Sequence, residues 1–369
     1  MKTLEDKLSC FDPELPLARA QTIPSLWYSD PDIYAAERRR IFGSSWQAVG
    51  RTDQVVEPGS YFTADVAGEP ILVVRDEEGA LRAFFNVCRH RAALVVPDAA
   101  GRASRLRCRY HGWTYDLAGR LRGTPEFDGV ADFRREDNGL TPVSVAVWGP
   151  LVWVRLNGSP PSLQELLAPL HEQTRGLGLE NLRFVQRREY QLNCNWKVFV
   201  DNYLDGGYHV NTVHPGLAGV LDYSQYRTEI AVQTSVQISP LRAADSKTAQ
   251  VGKVRTGDAA YYWWIFPNFM MNIYQGVMDT NLVLPLGPNA CRVVFDFYFA
   301  AGQPDSDRFM AESIKVAHQI QLEDVGICEE VQRGLASRAF DTGRFSVRRE
   351  AAGYHFHRLL ARQLLAQEA

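Results

Sequence analysis

Cys88-Arg89-His90 and, seventeen residues further on, Cys108-Arg109-Tyr110-His111 are the stretch on which the reading of this chain turns. Two soft thiolates and two imidazoles in the order Cys-His, Cys-His can divide between two irons. Each short arm then gives one iron a sulfur ligand and the other a nitrogen ligand. That is the donor set of a mixed sulfur–nitrogen [2Fe–2S] centre, in which imidazoles raise the reduction potential above that of an all-cysteine cluster. The competing reading is a Cys2His2 zinc site. Zinc fingers usually bring their cysteines as one close pair and their histidines as another, which is not the order here.

The two arms are surrounded by short β-rich runs from Trp46 to about Val154, among them Tyr61–Val66, Pro70–Arg75 and Leu81–Asn86. Asp76-Glu-Glu-Gly79 between two of these runs predicts a hairpin turn. Residues 1–28 are irregular, with prolines at 13, 16 and 24. Ser29-Asp30-Pro31 then predicts a helix to about Phe42, opened by a capping side chain and an early proline and stopped at Gly43. Asn157-Gly-Ser-Pro-Pro161 reads as a linker. These boundaries divide the chain into a helical segment 1–43 that packs on the second domain, a β-domain 44–156, and a second domain 162–369.

The second half mixes helices with longer strands. Phe184–Leu192 predicts a strand, and Trp196, Phe199, Val200, Tyr203 and Leu204 recur at helical spacing after it. Tyr261–Phe266, Phe269–Gln275, Leu282–Pro285 and Cys291–Ala300 read as antiparallel strands, and a long helix spans roughly Asp307–Ser337. The expected class is α+β.

The helix starting near Asn195 carries Asp201-Asn-Tyr-Leu-Asp205-Gly-Gly-Tyr-His209 and then His214-Pro215. Gly206-Gly207 and Pro215 weaken a regular helix, so His209 and His214 need not obey ideal helix angles to converge on one metal. A mononuclear iron that binds O2 takes two imidazoles and one carboxylate on one face. The carboxylate is found on the long helix. At about 100° per residue, Asp324 lies within roughly 60° of Ile320, Ile327, Cys328, Val331 and Leu335, in the middle of an apolar stripe. Glu323, Glu329 and Glu330 lie off that stripe. A carboxylate so placed must be paired or metal-bound, and the competing partner for Asp324 is a buried arginine or imidazole.

The composition excludes several classes. A chain of 369 residues, 46% hydrophobic and 22% charged, is an ordinary globular protein with room for two domains. A net charge of −3 argues against a nucleic-acid partner. No apolar run reaches membrane-spanning length, and the N-terminus lacks the apolar core of a signal peptide, so a cytoplasmic location is expected. Six cysteines do not make a disulfide scaffold at this length, and Cys10, Cys194, Cys291 and Cys328 read as scattered ordinary thiols.

Together these motifs resemble the Rieske-type non-haem iron oxygenase α subunits, the aromatic-ring-hydroxylating dioxygenase family. The resemblance rests on His111-Gly-Trp-Thr-Tyr-Asp116 in the second arm and on Asn195-Trp-Lys-Val-Phe-Val-Asp-Asn-Tyr-Leu-Asp205 with His209 and His214. Further stretches, Phe266-Pro-Asn-Phe-Met-Met-Asn272, Met278–Pro288 and Cys328–Leu335 among them, are similar to the choline monooxygenase branch. The resemblance implies an N-terminal Rieske β-domain, with Cys88 and Cys108 on the buried iron and His90 and His111 on the outer one. It implies a helix-grip catalytic domain with an antiparallel sheet and a long C-terminal helix, in which His209, His214 and Asp324 hold Fe(II). It also implies a ring-shaped homo-oligomer, commonly a trimer, in which a carboxylate bridges one subunit's cluster to its neighbour's iron. Many relatives place that acid three residues before the first iron histidine, where this chain has Gly206. Asp205, one residue earlier, is the favoured bridge, with Asp201 second and Asn202 counted with them at the catalytic site.

The chain has neither a dinucleotide fingerprint nor a second ferredoxin-type cysteine set, so electrons from NAD(P)H must arrive through a separate flavin/ferredoxin-type reductase. Residues 89–122 hold eight arginines (89, 91, 102, 105, 107, 109, 120 and 122) against two acids, Asp98 and Asp116. That is either a docking face for an acidic electron donor or a subunit interface or solvated surface.

Tyr203, Tyr261, Trp263, Trp264, Phe266 and Met270 are the expected substrate contacts, since aromatic faces attract a quaternary ammonium. Ordinary sheet core is the competing reading for each. The resemblance favours choline as the small-molecule substrate, hydroxylated to betaine aldehyde hydrate. The alternatives are N-demethylation of glycine betaine, carnitine or a similar betaine, which would ask for an added arginine or several donors, and hydroxylation or demethylation of an aromatic compound.

Overall fold

The computed structural model describes residues 3–157, 161–242, 249–301 and 306–366, the side chains of residues 249 and 250 excepted. The chain forms two compact units, one of residues 42–165 and the other of residues 1–41 together with 166–369. No helix among the described residues is long and apolar enough to cross a membrane.

The smaller unit is built on a seven-stranded antiparallel sheet. Its order is Gln47–Arg51, Leu151–Arg155, Pro142–Trp148, Leu81–Phe85, Glu69–Arg75, Ser60–Val66 and Ala100–Arg102. The strand Glu69–Arg75 shows why its sequence is a near-continuous apolar run: both of its faces are covered. Ile71 and Val73 enter one core with Phe62 and Val152, while Leu72 and Val74 enter another with Phe84, Trp113 and both arm cysteines. The turn at Asp76 is a real hairpin, closed by Asp76 Oδ1, which accepts from the backbone N–H groups of Glu78 and Ala80. Three two- or three-residue strands, Leu106–Arg107, Thr114–Tyr115 and Leu121–Gly123, make a small separate sheet that carries the second arm.

The larger unit has its own seven-stranded antiparallel sheet, in the order Leu182–Leu192, Ala290–Ala300, Val277–Gly287, Phe269–Tyr274, Ala259–Ile265, Thr234–Pro240 and Arg227–Ile230. The helix Trp196–Tyr203 packs on the strands Val277–Gly287 and Ala290–Ala300 and against the 30-residue helix Ser306–Leu335. Asn195 starts the shorter helix by accepting from the Lys197 N–H. That helix is fastened to the N-terminal segment by a pair sealed from water. Lys197 Nζ lies 2.6 Å from Glu37 Oε1, both side chains are 0% exposed, and Trp196 Nε1 donates to Glu37 Oε2 at 2.9 Å.

Several expectations are corrected. The first helix is α-helical only over Pro31–Glu37, with Asp30 as its cap, and continues as a π-type turn through Arg38–Phe42. The strand expected at Leu282–Pro285 runs from Val277 to Gly287, and the strands Arg227–Ile230 and Thr234–Pro240 were not expected at all. In two of them Asp279, Thr280, Asn281, Thr234, Ser235 and Gln237 are buried polar residues, so no hydrophobic alternation marks these strands, while Arg227–Ile230 is a mostly exposed edge strand with a single apolar residue. A last helix, Ala351–Leu365, also went unread.

Candidate metal centres and active-site cavity

Each arm of the first site is a tight turn. The Ala92 N–H donates to the Cys88 carbonyl and the Cys88 N–H to the Ala93 carbonyl; the Gly112 N–H donates to Cys108 and the Cys108 N–H to Trp113. Gly112 takes φ +73°, a left-handed conformation that favours glycine. The turns bury both cysteines, 2% exposed each, and leave His90 and His111 toward the surface with ring centroids 4.6 Å apart. His90 is stacked on Trp113 at 4.8 Å with 6° between planes, which holds its orientation. The His90 Nδ1 is buried without a hydrogen-bond partner. An orphaned ring nitrogen beside two buried thiols fits a metal-cluster donor set, sulfur inside and nitrogen outside. Burial, with Cys88 beside it, pushes the Cys108 thiol above its ordinary pKa. Tyr115 was missed in the sequence: its hydroxyl lies 3.4 Å from the Cys88 sulfur and accepts from the Arg89 N–H.

In the larger unit, His209 Nε2 and His214 Nε2 lie 3.1 Å apart, and Asp324 Oδ1 stands 3.1 Å from the second and 3.8 Å from the first. Among the described residues these three form the group whose ligand atoms could hold a metal, all within 4.8 Å of one another. Each is steered from behind. His209 Nδ1 donates to Asp205 Oδ2 at 2.5 Å, His214 Nδ1 to Glu323 Oε2 at 2.7 Å, and Asn202 Nδ2 to Asp324 Oδ1 at 2.7 Å. With both Nδ1 atoms protonated, both Nε2 lone pairs face the same point, as a divalent ion needs. Burial lowers the pKa of His214, but Asp324 and Glu323 more than offset this, so the imidazole stands above its ordinary value. A pocket that draws in a positive charge this way fits a cationic occupant.

The chain geometry explains why glycine stands three residues before His209. The helix that was expected to run to His209 ends at Tyr203, and Gly206 and Gly207 take φ +72° and +71° before a short helix Val210–Val213. A Cβ on Gly206 would meet the Arg349 carbonyl oxygen at 2.1 Å. No side chain fits three residues before His209, and Asp205 instead folds back onto its ring. Asp201 points elsewhere, accepting from the Tyr28 hydroxyl at 2.6 Å and from His357 Nε2 at 2.8 Å. His357 itself is 1% exposed.

Glu323 was placed off the apolar stripe, yet it is the outer partner of His214. The stripe itself is only partly buried: Val331 is 43% exposed and Gln332 is buried in its place. Adjacent acids in mid-helix were the available signal for Glu323, since consecutive helical residues can reach one site from two sides. The scattered thiols also meet, with Cys194 and Cys291 sulfurs 3.8 Å apart.

His209, His214 and Asp324 open into a cavity of about 750 Å³, adjoining solvent included. Tyr203, Tyr226, Tyr262 and Tyr274 line it together with Gln237, Arg255, Asn272, Asp279 and Asn281. Of the six expected substrate contacts only Tyr203 is among the lining residues. Tyr261 lies on the opposite face of its strand from Tyr262, and Trp263, Trp264, Phe266 and Met270 are at most 1% exposed and belong to the core. Trp264 illustrates the cause: it shares the face of Tyr262 but packs against Phe356 and donates to the Pro267 carbonyl.

A donor set that fits a two-iron cluster in one unit and one that fits a single open-sided iron in the other are the pattern of a Rieske-type non-haem iron oxygenase. Residues 45–134 match the Rieske [2Fe-2S] domain and residues 179–366 the Ring hydroxylating alpha subunit (catalytic domain), and the chain belongs to that family of α subunits. The cluster match removes the zinc reading of the four arm residues. The chain is 42% identical over 365 residues to the chloroplastic choline monooxygenase of Arabidopsis thaliana, covering 96% of this chain and 85% of that enzyme. It is 27% identical to the carnitine monooxygenase oxygenase subunit of Escherichia coli strain K12, covering 95% of each. A solved structure of a quaternary ammonium Rieske monooxygenase superposes with a TM-score of 0.82 at 26% identity, over 98% of this chain and 99% of that one.

Proposed function

We propose that this chain is the terminal oxygenase of a multicomponent system that oxidises a quaternary ammonium compound, choline in the first place. One C–H bond, O2, two electrons and two protons would become one C–OH bond and one water. At the alcohol carbon of choline the product is betaine aldehyde hydrate. The observation that carries the reading is the meeting of His209, His214 and Asp324 at a cavity walled by tyrosines, in a chain 42% identical to a choline monooxygenase. When bound, the cluster would supply electrons singly and the mononuclear iron would activate O2.

The protein's own part is to hold and orient. Cys88, Cys108, His90 and His111 would hold the cluster, and His209, His214 and Asp324 the single iron. Electrons would come from NAD(P)H through a separate reductase. All eight arginines between residues 89 and 122 are exposed, which suits an acidic donor. By family resemblance the working form is a homo-oligomeric ring, a trimer first, with Asp205 as the bridging acid through its contact with His209 Nδ1. Asp205→Asn should retain both metals but slow cluster oxidation by O2 in the presence of substrate by ~10–100-fold. Unchanged single-turnover kinetics would remove Asp205 from the bridge.

A second reading, N-demethylation of a betaine with release of formaldehyde, is favoured by one observation. Arg255 lines the cavity, 5% exposed, where a substrate carboxylate could meet it. The iron-loaded protein should be given a compatible reductase, NADH and O2, with choline, glycine betaine, carnitine and aromatic acids in parallel. Mass spectrometry is expected to find betaine aldehyde from choline. Formaldehyde from a betaine alone would select the second reading, and turnover of aromatic acids alone would remove both.

A further inference from the structure

Asp279 is a carboxylate in the cavity that the metal site does not use. It is 2% exposed and sits on the strand Val277–Gly287. Cross-strand pairing puts it in one row over the sheet: Gln237 opposite Tyr262, Tyr262 opposite Asn272, and Asn272 opposite Asp279. Asn272 and Asn281 donate their amides to Oδ2 at 2.7 and 3.3 Å. Among the described residues no donor reaches Oδ1. The nearby cation, Arg255, acts on Asp279 through space only, and is engaged with Ser313 Oγ at 2.8 Å and the Tyr274 ring at 4.8 Å. Two neutral amides leave a buried negative charge incompletely compensated. Burial, set against Arg255 and the two amides, holds its pKa above the ordinary carboxylate value.

The aromatic surroundings narrow what could complete it. The Tyr226 and Tyr262 rings are 6.4 Å apart with 14° between planes, and Tyr262 and Tyr274 share a hydrogen bond at 2.8 Å. Burial keeps the Tyr226 and Tyr262 phenols well above their ordinary pKa, so these walls stay neutral. A trimethylammonium head has no N–H to donate, and it is recognised by charge and by ring faces. We propose that Asp279 is the counter-ion that selects a cationic substrate head in this cavity, with the Tyr226 and Tyr262 rings packing its methyl groups. This deepens, and rests on, the quaternary ammonium reading. Asp279 is a specificity-determining residue here, remote in role from the metal ligands.

The test compares anaerobic calorimetric binding of choline and of its uncharged carbon isostere, 3,3-dimethyl-1-butanol, to the holoenzyme. The wild type is expected to prefer choline by at least ~10-fold, and Asp279→Asn to lose that preference while still binding the isostere. Retained isostere binding shows that the cavity is intact. Should Asp279→Asn lose both ligands, Asp279→Glu decides: its kept charge should keep the preference, and a loss of preference with isostere binding retained overturns the proposal. An Asp279→Asn variant that still prefers choline as the wild type does also overturns it. A wild type that binds neither choline, glycine betaine nor carnitine would overturn the quaternary ammonium reading itself, an outcome distinguishable from the first two.

Discussion

His209→Ala is expected to abolish turnover while leaving the cluster spectrum intact. His209 supplies one of three converging atoms, and its removal leaves His214 and Asp324 to hold an ion alone. Product formation should fall well beyond the ~10–100-fold that follows loss of a group hydrogen-bonded behind a ligand, and the mononuclear iron content should fall with it. Glu323→Gln provides that graded comparison, since it alters only the group behind His214 Nδ1. The four cluster residues lie in the other compact unit, so their visible absorption should not change. Metal analysis with absorption spectroscopy checks this, and a His209→Ala protein that keeps its second iron and its turnover would remove the histidine from the ligand set.

The second large effect is on stability. Glu37→Ala should lower the melting temperature of the catalytic unit by on the order of 10 °C. Deleting one partner of a fully buried pair leaves an uncompensated charge, about 3–5 kcal/mol, and each kcal/mol moves a domain of this size by ~2–4 °C. Burial already pulls the Lys197 pKa down, and Glu37 is the main group that opposes it, with Asp201 adding through space. Trp196 Nε1 also loses its acceptor. The double variant Glu37→Met, Lys197→Met should recover most of the loss, because an apolar pair leaves no charge to solvate. Calorimetry of both variants decides; equal melting temperatures for Glu37→Ala and the wild type would mean that water reaches Lys197.

How much of this was legible depends on whether a residue's chemistry shows in its local pattern. The four arm residues did show, because two arms of three and four residues hold them all. Asp324 showed as an acid inside an apolar stripe. Glu323 did not, because helical phase reports one face and the site is approached from two. Asp279 and Gln237 were hidden for a different reason. Their strands bury polar side chains against a cavity, so the alternation that marks a half-buried strand is absent. The aromatic run at 261–266 drew attention for its composition, whereas lining the cavity depends on which face and how far along the strand each ring sits, and of that run only Tyr262 qualifies.

The interruption of the catalytic unit by the smaller one orders the protein's biogenesis. The turns, strands and core packing described for the cluster arms close within the 42–165 segment, so that segment can collapse as soon as it leaves the ribosome. Residues 1–41 emerge earlier but must wait: Glu37 needs Lys197, and the Ile23 N–H needs His357, 334 positions later. Asp324 is translated about 160 residues after the smaller unit is complete, a lag of about 10–30 s at ~5–20 residues per second. A nascent chain can therefore be competent for cluster insertion while its mononuclear iron pocket does not yet exist.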